Sequence, residues 1–319
     1  MGESGPQLVV RLTGRGRPGY TTPMRACIIF NPTAQGDKAR QFRQALARLG
    51  SQCVLKPTTK PGGGTPLAAE AVREGFATIV AAGGDGTVSE VVSGLARTPA
   101  GLEQARLGVI PLGTTNVFAK ELDLPHELAA AWAVIEGGRE SRVDLPRVEF
   151  AAQGQPQGRW FIQLAGAGFD ARALELVDWE WKRRSGLLAY ALAVLRAKHH
   201  APPLVTARGG GQQATGELAL IGNGRFYAGR IPVFPQGDLR DGLLEVRVFP
   251  KVDWAALVRF GWGWLTESPF RQPGDVCFRA ETVTLSSPSP VPFEVDGDTV
   301  GRLPATFSLR RQALRVIVP

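Results

Sequence analysis

Three turns that combine carboxylates with glycine hold the residues most able to do chemistry in this chain. They are Gly83-Gly84-Asp85-Gly86-Thr87, Asp238-Leu239-Arg240-Asp241-Gly242-Leu243 and Val295-Asp296-Gly297-Asp298. In the first, the apolar run Phe76 to Ala82 ends at the glycines, and Val88, Val91, Val92 and Leu95 then recur at helical spacing. A strand-turn-helix of this kind presents unpaired N–H groups and a positive dipole end to phosphate oxygens. Glycine lets the backbone approach closely and adopt positive φ. Asp85 beside a phosphate implies either a metal ion between them or a role in orienting the acceptor group. The same turn also reads as a plain strand-to-helix connection with Asp85 as its cap. Taken alone, the other two sequences are Asp-Gly turns, one opening the strand LLEVRVF and one closing a hairpin.

The elements that must position these turns fall into two grammars. Residues 1–23 are rich in Gly, Arg and Pro and read as a loose leader, with the ordered fold starting near Met24. The strand RACIIF (Arg25 to Phe30) leads into the loop NPTAQG and a helix from about Asp37 to Leu49. A strand Gln52 to Lys56, the turn TTKPGGG and a helix around Leu67 to Glu74 follow. The Phe76 strand, the GGDGT turn, a helix and a strand at Leu107 to Ile110 complete the pattern. Strands alternating with helices predict a parallel sheet, with ligands beyond the carboxyl ends of its strands. The loops NPTAQG, GGDGT and PLGTTN gather there. From Ser141 onward, short strand-like pieces separated by Gly, Pro and Asp, among them RVDLPRVEF, LLEVRVF, VCFRAETVTLSS, ATFSLRR and LRVIVP, predict a mainly antiparallel β domain. Helical stretches from about Ala173 to Lys198 and Trp254 to Leu265 interrupt it. Residues 24–140 thus read as an α/β domain and 141–311 as a mainly antiparallel β domain. The last strand, within 312–319, is expected to return to the first domain.

At 319 residues the chain is long enough for two domains, and 44% hydrophobic with 21% charged residues describes a folded protein. Three scattered cysteines, Cys27, Cys53 and Cys277, make neither a disulfide framework nor a paired zinc motif, and point to a reducing cytoplasm. No apolar stretch of about 18 residues occurs, and the start lacks a secretory core. The net charge of +8 favours an anionic partner without naming it. Its one dense run, Lys182-Arg183-Arg184, reads as a solvated helix end, and no nucleic-acid motif is present.

The blocks NPTAQG, GGDGTVSEVVSGL, PLGTTNVFAKELDLP, LAGAGFDA, KRRSGLLAY, DLRDGLLEVRVF and FEVDGD, in that order, resemble the bacterial diacylglycerol kinase and sphingosine kinase family over nearly the whole chain. The resemblance implies an amino-terminal domain similar to NAD kinase and phosphofructokinase, a carboxyl-terminal β-sandwich, and ATP-dependent phosphorylation of a lipid hydroxyl in the cleft between them. It assigns Asn31, Thr58, Thr114 and the run Gly84, Asp85, Gly86, Thr87, Val88, Ser89, Glu90 to the ATP pocket. It aligns the general base with Asp298, where many relatives have Glu, one methylene longer. It implies a magnesium ion held by the Asp241 carboxylate and the carbonyls of Asp238 and Leu243, with a second magnesium arriving with ATP. Asp85 then organises magnesium and phosphates while Asp298 takes the proton. Relatives often carry Asn-Asp after PLGTG; here Thr115-Asn116-Val117 stands, so the carboxylate expected beside Asp85 is replaced by Val117.

The lipid acceptor implies peripheral contact with a membrane surface, for which the aromatics Trp254, Phe260, Trp262 and Trp264 with Arg259 are suited. A sphingoid-base kinase, an NAD kinase and a nucleotide-binding protein without catalysis remain alternatives; the oligomeric state, a homodimer among the possibilities, stays open. The run Gly166 to Ala171 fits the dinucleotide pattern G-x-G-x-x-[GA], but no second strand ending in an acid follows about 20 residues later. It is read as a tight loop. No Walker-type G-x-x-x-x-G-K-[ST] occurs. His199 and His200 end a helix and read as solvent-facing.

Overall fold

The computed structural model describes residues 26–32, 37–45, 53–168, 204–266, 268–269 and 271–319. The leader, most of NPTAQG, the helix expected at Ala173 to Lys198 with its basic run, and His199-His200 lie outside the described residues. The chain divides into two compact units, one running to Ser141 and taking in Leu314–Pro319, the other Arg142–Ala313.

Unit 1 contains β1 (Ala26–Phe30), α1 (Asp37–Ala45), β2 (Cys53–Pro57), α2 (Gly64–Arg73), β3 (Thr78–Gly83), α3 (Asp85–Arg97), α4 (Gly101–Gln104), β4 (Arg106–Pro111), α5 (Val117–Glu121) and α6 (Leu128–Gly137). The strands pair in parallel in the order β2-β1-β3-β4, with Phe30 beside Pro57 and Ala82, and Gly83 beside Pro111. β1 and β3 are buried throughout, as continuous apolar runs in a sheet covered on both faces must be. Ala26, Ile28, Phe30, Val80, Ala82 and Ile110 pack with Phe42 of α1 and Trp132 and Ile135 of α6. The alternate residues Ile29, Ile79 and Ala81 fall on the opposite face by the pleat, where α2 and α3 pack on each other and on β1 and β3. Glu140 is held between Arg106 and Arg315 at 3.0 and 2.8 Å. Burial alone would raise its carboxyl, but the two guanidinium groups outweigh burial and hold it below its ordinary value.

Unit 2 is built from β5 (Glu140–Ala152), β6 (Gln155–Trp160), β7 (Leu164–Gly168), β8 (Val205–Gly209), β9 (Gln212–Gly216), β10 (Leu218–Gly222), β11 (Phe226–Tyr227), β12 (Ile231–Pro232), β13 (Leu244–Phe249), α7 (Trp254–Thr266), β14 (Val276–Ala280), β15 (Thr282–Ser286), β16 (Pro292–Val295), β17 (Asp298–Arg302) and β18 (Ala305–Ile317). A six-stranded antiparallel sheet runs β14-β13-β10-β7-β16-β17, and the opposing antiparallel layer carries β15 between β18 and β8, with β9 beyond. Their inner faces share one core of Phe161, Ala165, Ile221, Val246, Phe278, Leu285, Phe293 and Phe307. A mixed α/β unit and an antiparallel sandwich are therefore both present. The end of β18 returns to unit 1, where Val316 pairs with Leu107 in parallel.

Several boundaries differ from the sequence reading. ATFSLRR and LRVIVP are one strand, β18, that passes through a positive φ of 46° at Gln312. VCFRAETVTLSS is two strands split at Glu281, β14 in one layer and β15 in the other. Gly166, Ala167 and Gly168 are not a loop: they lie in β7, paired with β10 and, at Gly166 and Ala167, with β16. At the end of the strand Gly168 has a φ of 97°, and a Cβ there would run into the Glu217 carbonyl. Among the described residues no helix is long and apolar enough to cross a membrane.

Candidate functional site

In unit 1 the turns after β3 and β4 meet backbone to backbone: a Cβ on Gly113 would come within 2.5 Å of the Gly84 Cα. The contact follows from the β3–β4 register, which sets Gly83 beside Pro111. Gly84 is the N-cap of α3, in extended conformation and with no side-chain cap bond. The first turn of this 13-residue helix thus receives no side-chain cap from its own N-cap residue. The second turn is shaped by Asn116, whose amide group both donates to the Gly113 carbonyl (2.7 Å) and accepts its N–H (3.0 Å). Asn116 is buried, at a left-handed φ of 48° that Asn tolerates well.

Asp85 joins the two turns. Its Oδ2 accepts the Val117 N–H at 3.0 Å and the Thr115 hydroxyl at 3.3 Å, and its Oδ1 accepts the Phe118 N–H at 3.1 Å. The carboxylate thus caps α5 from another segment, since Asn116, the N-cap of α5, supplies no side-chain bond. Val117 meets Asp85 through its backbone, and its side chain is buried. Glu90, in the second turn of α3, grips the TTKPGGG loop: its two carboxylate oxygens accept the N–H groups of Gly62 and Gly64, each at 2.7 Å. Its carbonyl takes the Thr65 hydroxyl at 3.0 Å. This anchoring starts α2 at Gly64, earlier than its apolar spacing announces. Asn31 is exposed just past β1, and Thr58 is buried just past β2 with its N–H on the Phe30 carbonyl at 2.8 Å. Thr114 is exposed, Thr87 packs on Gly83, and the side chains of Val88 and Ser89 are buried. Asn31, Thr58, the Gly84 to Thr87 turn and Thr114 therefore share the carboxyl-terminal edge of one parallel sheet.

In unit 2, Asp296 and Gly297 both have positive φ, 48° and 84°, and Val295 pairs with Asp298 across them. This is the type I′ hairpin favoured by Asp-Gly. Asp296 collects the N–H groups of Ile162, Gln163 and Leu164 at 2.8 to 3.3 Å. Glu294, fully buried, accepts the Gly297 N–H at 2.7 Å. Asp298 is exposed and ion-paired with Arg159 of β6 at 2.6 Å. The Asp238 to Leu243 turn closes on itself: Asp238 accepts the Arg240 N–H at 3.0 Å and Asp241 the Leu243 N–H at 2.9 Å. The other Asp241 oxygen accepts from Arg279, and Arg311 donates to the Asp241 carbonyl at 3.0 Å.

Comparison with known proteins decides the family. Residues 25–148 match the profile of the diacylglycerol kinase catalytic domain, and residues 163–318 that of the YegS C-terminal NAD kinase beta sandwich-like domain. A diacylglycerol kinase of Bacillus subtilis is 31% identical over 92% of this chain and 96% of its own length. One of Staphylococcus carnosus is 30% identical over 92% and 95%. The chain belongs to the diacylglycerol kinase family. A crystal structure of a putative diacylglycerol kinase from Bacillus anthracis superposes with a TM-score of 0.73 at 24% identity, covering 94% of this chain and 99% of the other, and so shares the fold.

As a member of the diacylglycerol kinase family the chain is a lipid kinase, and ATP is its expected phosphoryl donor. The magnesium site that the resemblance places at Asp238, Asp241 and Leu243 does not fit the donors found there. One Asp241 oxygen holds an amide and the other a guanidinium, and the Asp238 carbonyl faces the Asp241 N–H at 3.5 Å. Among the described residues no group of three or more His, Cys, Asp or Glu is placed to hold a metal ion. Three residues central to this turn and to the Asp298 hairpin escaped the sequence reading. Asp144, almost fully buried, accepts the Gly242 and Gln312 N–H groups, each at 2.6 Å; a lone acid between buried Val143 and Leu145 in RVDLPRVEF was its signal. Arg159 and Arg279 had none, because Arg279 reaches Asp241 through the β13–β14 register and Arg159, on a strand of the other layer, meets Asp298 only across the packed layers.

A further polar network lies on the outer face of the six-stranded sheet. Arg247 is buried, donates to the Val233 carbonyl at 2.7 Å and pairs with Asp275. Burial pushes the Glu245 carboxyl above its ordinary value, against the pull of the Cys277 thiol and the Gln236 N–H. Burial, and then Glu245 itself, push that thiol up to about 12.

Proposed function

We propose that the chain transfers the γ-phosphate of ATP to a hydroxyl of diacylglycerol or a closely similar lipid. The observation that carries this reading is the pair of touching glycine turns, Gly84 and Gly113, at the carboxyl ends of adjacent parallel strands. The names of relatives aligned over nine-tenths of the chain support the acceptor. In this reading the first-turn amides of α3, with Gly84 and Gly86, meet the phosphates. Thr87, Thr58 and Thr114 offer hydroxyl groups, Asn31 its amide, and Val88 and Ser89 only backbone. Glu90 holds the loop beside them, and Asp85 locks the two turns together. Magnesium entering with ATP supplies charge neutralisation at the phosphates. Asp298 accepts the proton of the lipid hydroxyl as its oxygen bonds to the γ-phosphorus and the bond to the ADP oxygen breaks.

Peripheral contact with a lipid surface belongs to the same reading. On α7, Phe260 packs on Tyr227 at 5.7 Å while Val258 and Trp262, one turn apart, are 70% and 65% exposed. The helix WAALVRFGWGWLT contains no acid and one Arg, which suits anionic headgroups. A cytoplasmic setting agrees with cysteines that form no disulfide among the described residues.

The test is transfer from labelled ATP to a panel of diacylglycerol, sphingoid base and NAD by wild type and Asp298→Asn. Label in diacylglycerol that falls by about 100-fold or more in the variant is expected, as for loss of a general base. Undiminished transfer by Asp298→Asn removes it as the base. Label in NAD or sphingoid base alone reassigns the acceptor. Unchanged vesicle binding by Trp262→Ala refutes the membrane contact.

A further inference from the structure

We infer that the Asp238 to Leu243 turn uses the guanidinium of Arg279 as its resident cation, so that a protein charge closes it in place of a bound divalent ion. The register of β13 on β14 pairs Leu244 with Ala280 and Glu245 with Arg279. Arg279 therefore stands where the turn enters the sheet, and its Nη2 donates to Asp241 Oδ2 while Oδ1 is taken by the Leu243 N–H. Both partners are only about a quarter exposed, so solvent competes little for the pair.

A second guanidinium reinforces the arrangement. Arg311 donates to the Asp241 carbonyl at 3.0 Å and lies across Gly242, whose φ of 78° and missing side chain make room for it. From the other side, Asp144 ties the Gly242 N–H to the Gln312 N–H, and its own N–H bonds to the Leu239 carbonyl at 2.6 Å. The turn is thus cross-linked to β5, β14 and β18 by direct bonds alone. A divalent ion at Asp241 would have to displace Arg279 and then sit between two cations, which Coulomb repulsion opposes. An ion and a guanidinium do the same job at such a carboxylate, and here the guanidinium occupies it.

The experiment is thermal melting of the full chain without nucleotide or lipid, in EDTA and in excess magnesium chloride, for wild type, Arg279→Met, Arg279→Lys and Asp241→Asn. The expected result is one melting temperature for wild type in both solutions. Arg279→Met falls by about 2–4 °C in EDTA, and Arg279→Lys, which keeps the charge, recovers most of that loss. A wild-type melting temperature that rises in magnesium, with the rise abolished by Asp241→Asn, overturns the inference. So does an Arg279→Met protein that melts with wild type in EDTA. Should the Met variant not fold, the wild-type and Asp241→Asn pair still decides. No phosphoryl transfer enters the readout, so this result stands or falls apart from the lipid-kinase reading.

Discussion

Replacing Asp85 by Asn tests whether the carboxylate is the clasp between the two turns. In the wild type its two oxygens receive the N–H groups of Val117 and Phe118 at 3.0 and 3.1 Å. An Asn side chain keeps one acceptor oxygen and turns an NH2 group toward the other N–H. One charge-assisted bond is lost and a half-buried amide loses its partner, for a cost of about 2 kcal/mol. The loss of a negative charge at the amino end of α5 adds a few tenths more. A cost of about 2 kcal/mol corresponds to a fall of roughly 4–8 °C in melting temperature for a unit of this size. It also corresponds to about thirtyfold faster exchange of the Val117 and Phe118 amides through local opening of α5. Hydrogen exchange resolved to those two amides is the decisive assay, with amides of α6 as internal reference. Unchanged protection at Val117 and Phe118 refutes the clasp, whatever happens to activity. A collapse of activity with unchanged protection would assign Asp85 to phosphate or metal instead.

Gly113→Ala places a Cβ within 2.5 Å of the Gly84 Cα, backbone that cannot rotate away, so the turns must part at about 1–3 kcal/mol; the KM for ATP is expected to rise about tenfold, and an unchanged KM counts against a nucleotide site there. Glu90→Ala strips the Gly62 and Gly64 amides of their acceptor and should lower stability by about 1–3 kcal/mol, measured by urea unfolding, with ATP affinity falling more than turnover. Glu140 has a folded-state value below its ordinary one, so its pairing stabilises above the unfolded value of 4.5 and is lost as pH falls through the folded value. Glu140→Gln should therefore melt below wild type at neutral pH, and the gap should close in acid; an equal gap at both would disprove the linkage.

The parallel unit was legible because β1 and β3 are buried on both faces and read as unbroken apolar runs, with Gly marking each turn; the edge strand β2 is largely exposed and was read from its place in the alternation. The antiparallel unit was legible in kind, less so in detail. Nothing local announces that Ala280 and Thr282 belong to different layers, or that Gln312 lets one strand run on, since both depend on partners far away in sequence. GAGFDA misled for a related reason: its glycines suggest a turn, whereas Gly166 to Gly168 lie in a strand whose partners, β10 and β16, are far away in sequence. At the site, residue types and turns were readable, whereas their partners were not. Asp85 reaches Val117 and Asp241 reaches Arg279 only once register is set, and Asp298 reaches Arg159 only once the two layers pack. That is why the magnesium expected at Asp241 met a guanidinium.

The last strand has a consequence for how the chain is made. Val316 and Ile317, buried in unit 1, are synthesised after every residue of unit 2, so the parallel sheet of unit 1 stays one strand short until synthesis of the chain is almost finished. Its edge, β4, lacks this neighbour throughout elongation, and a stalled or clipped chain without these few residues would leave that edge unpaired. The pairing of Val316 beside Leu107 is therefore among the last contacts this sheet can form.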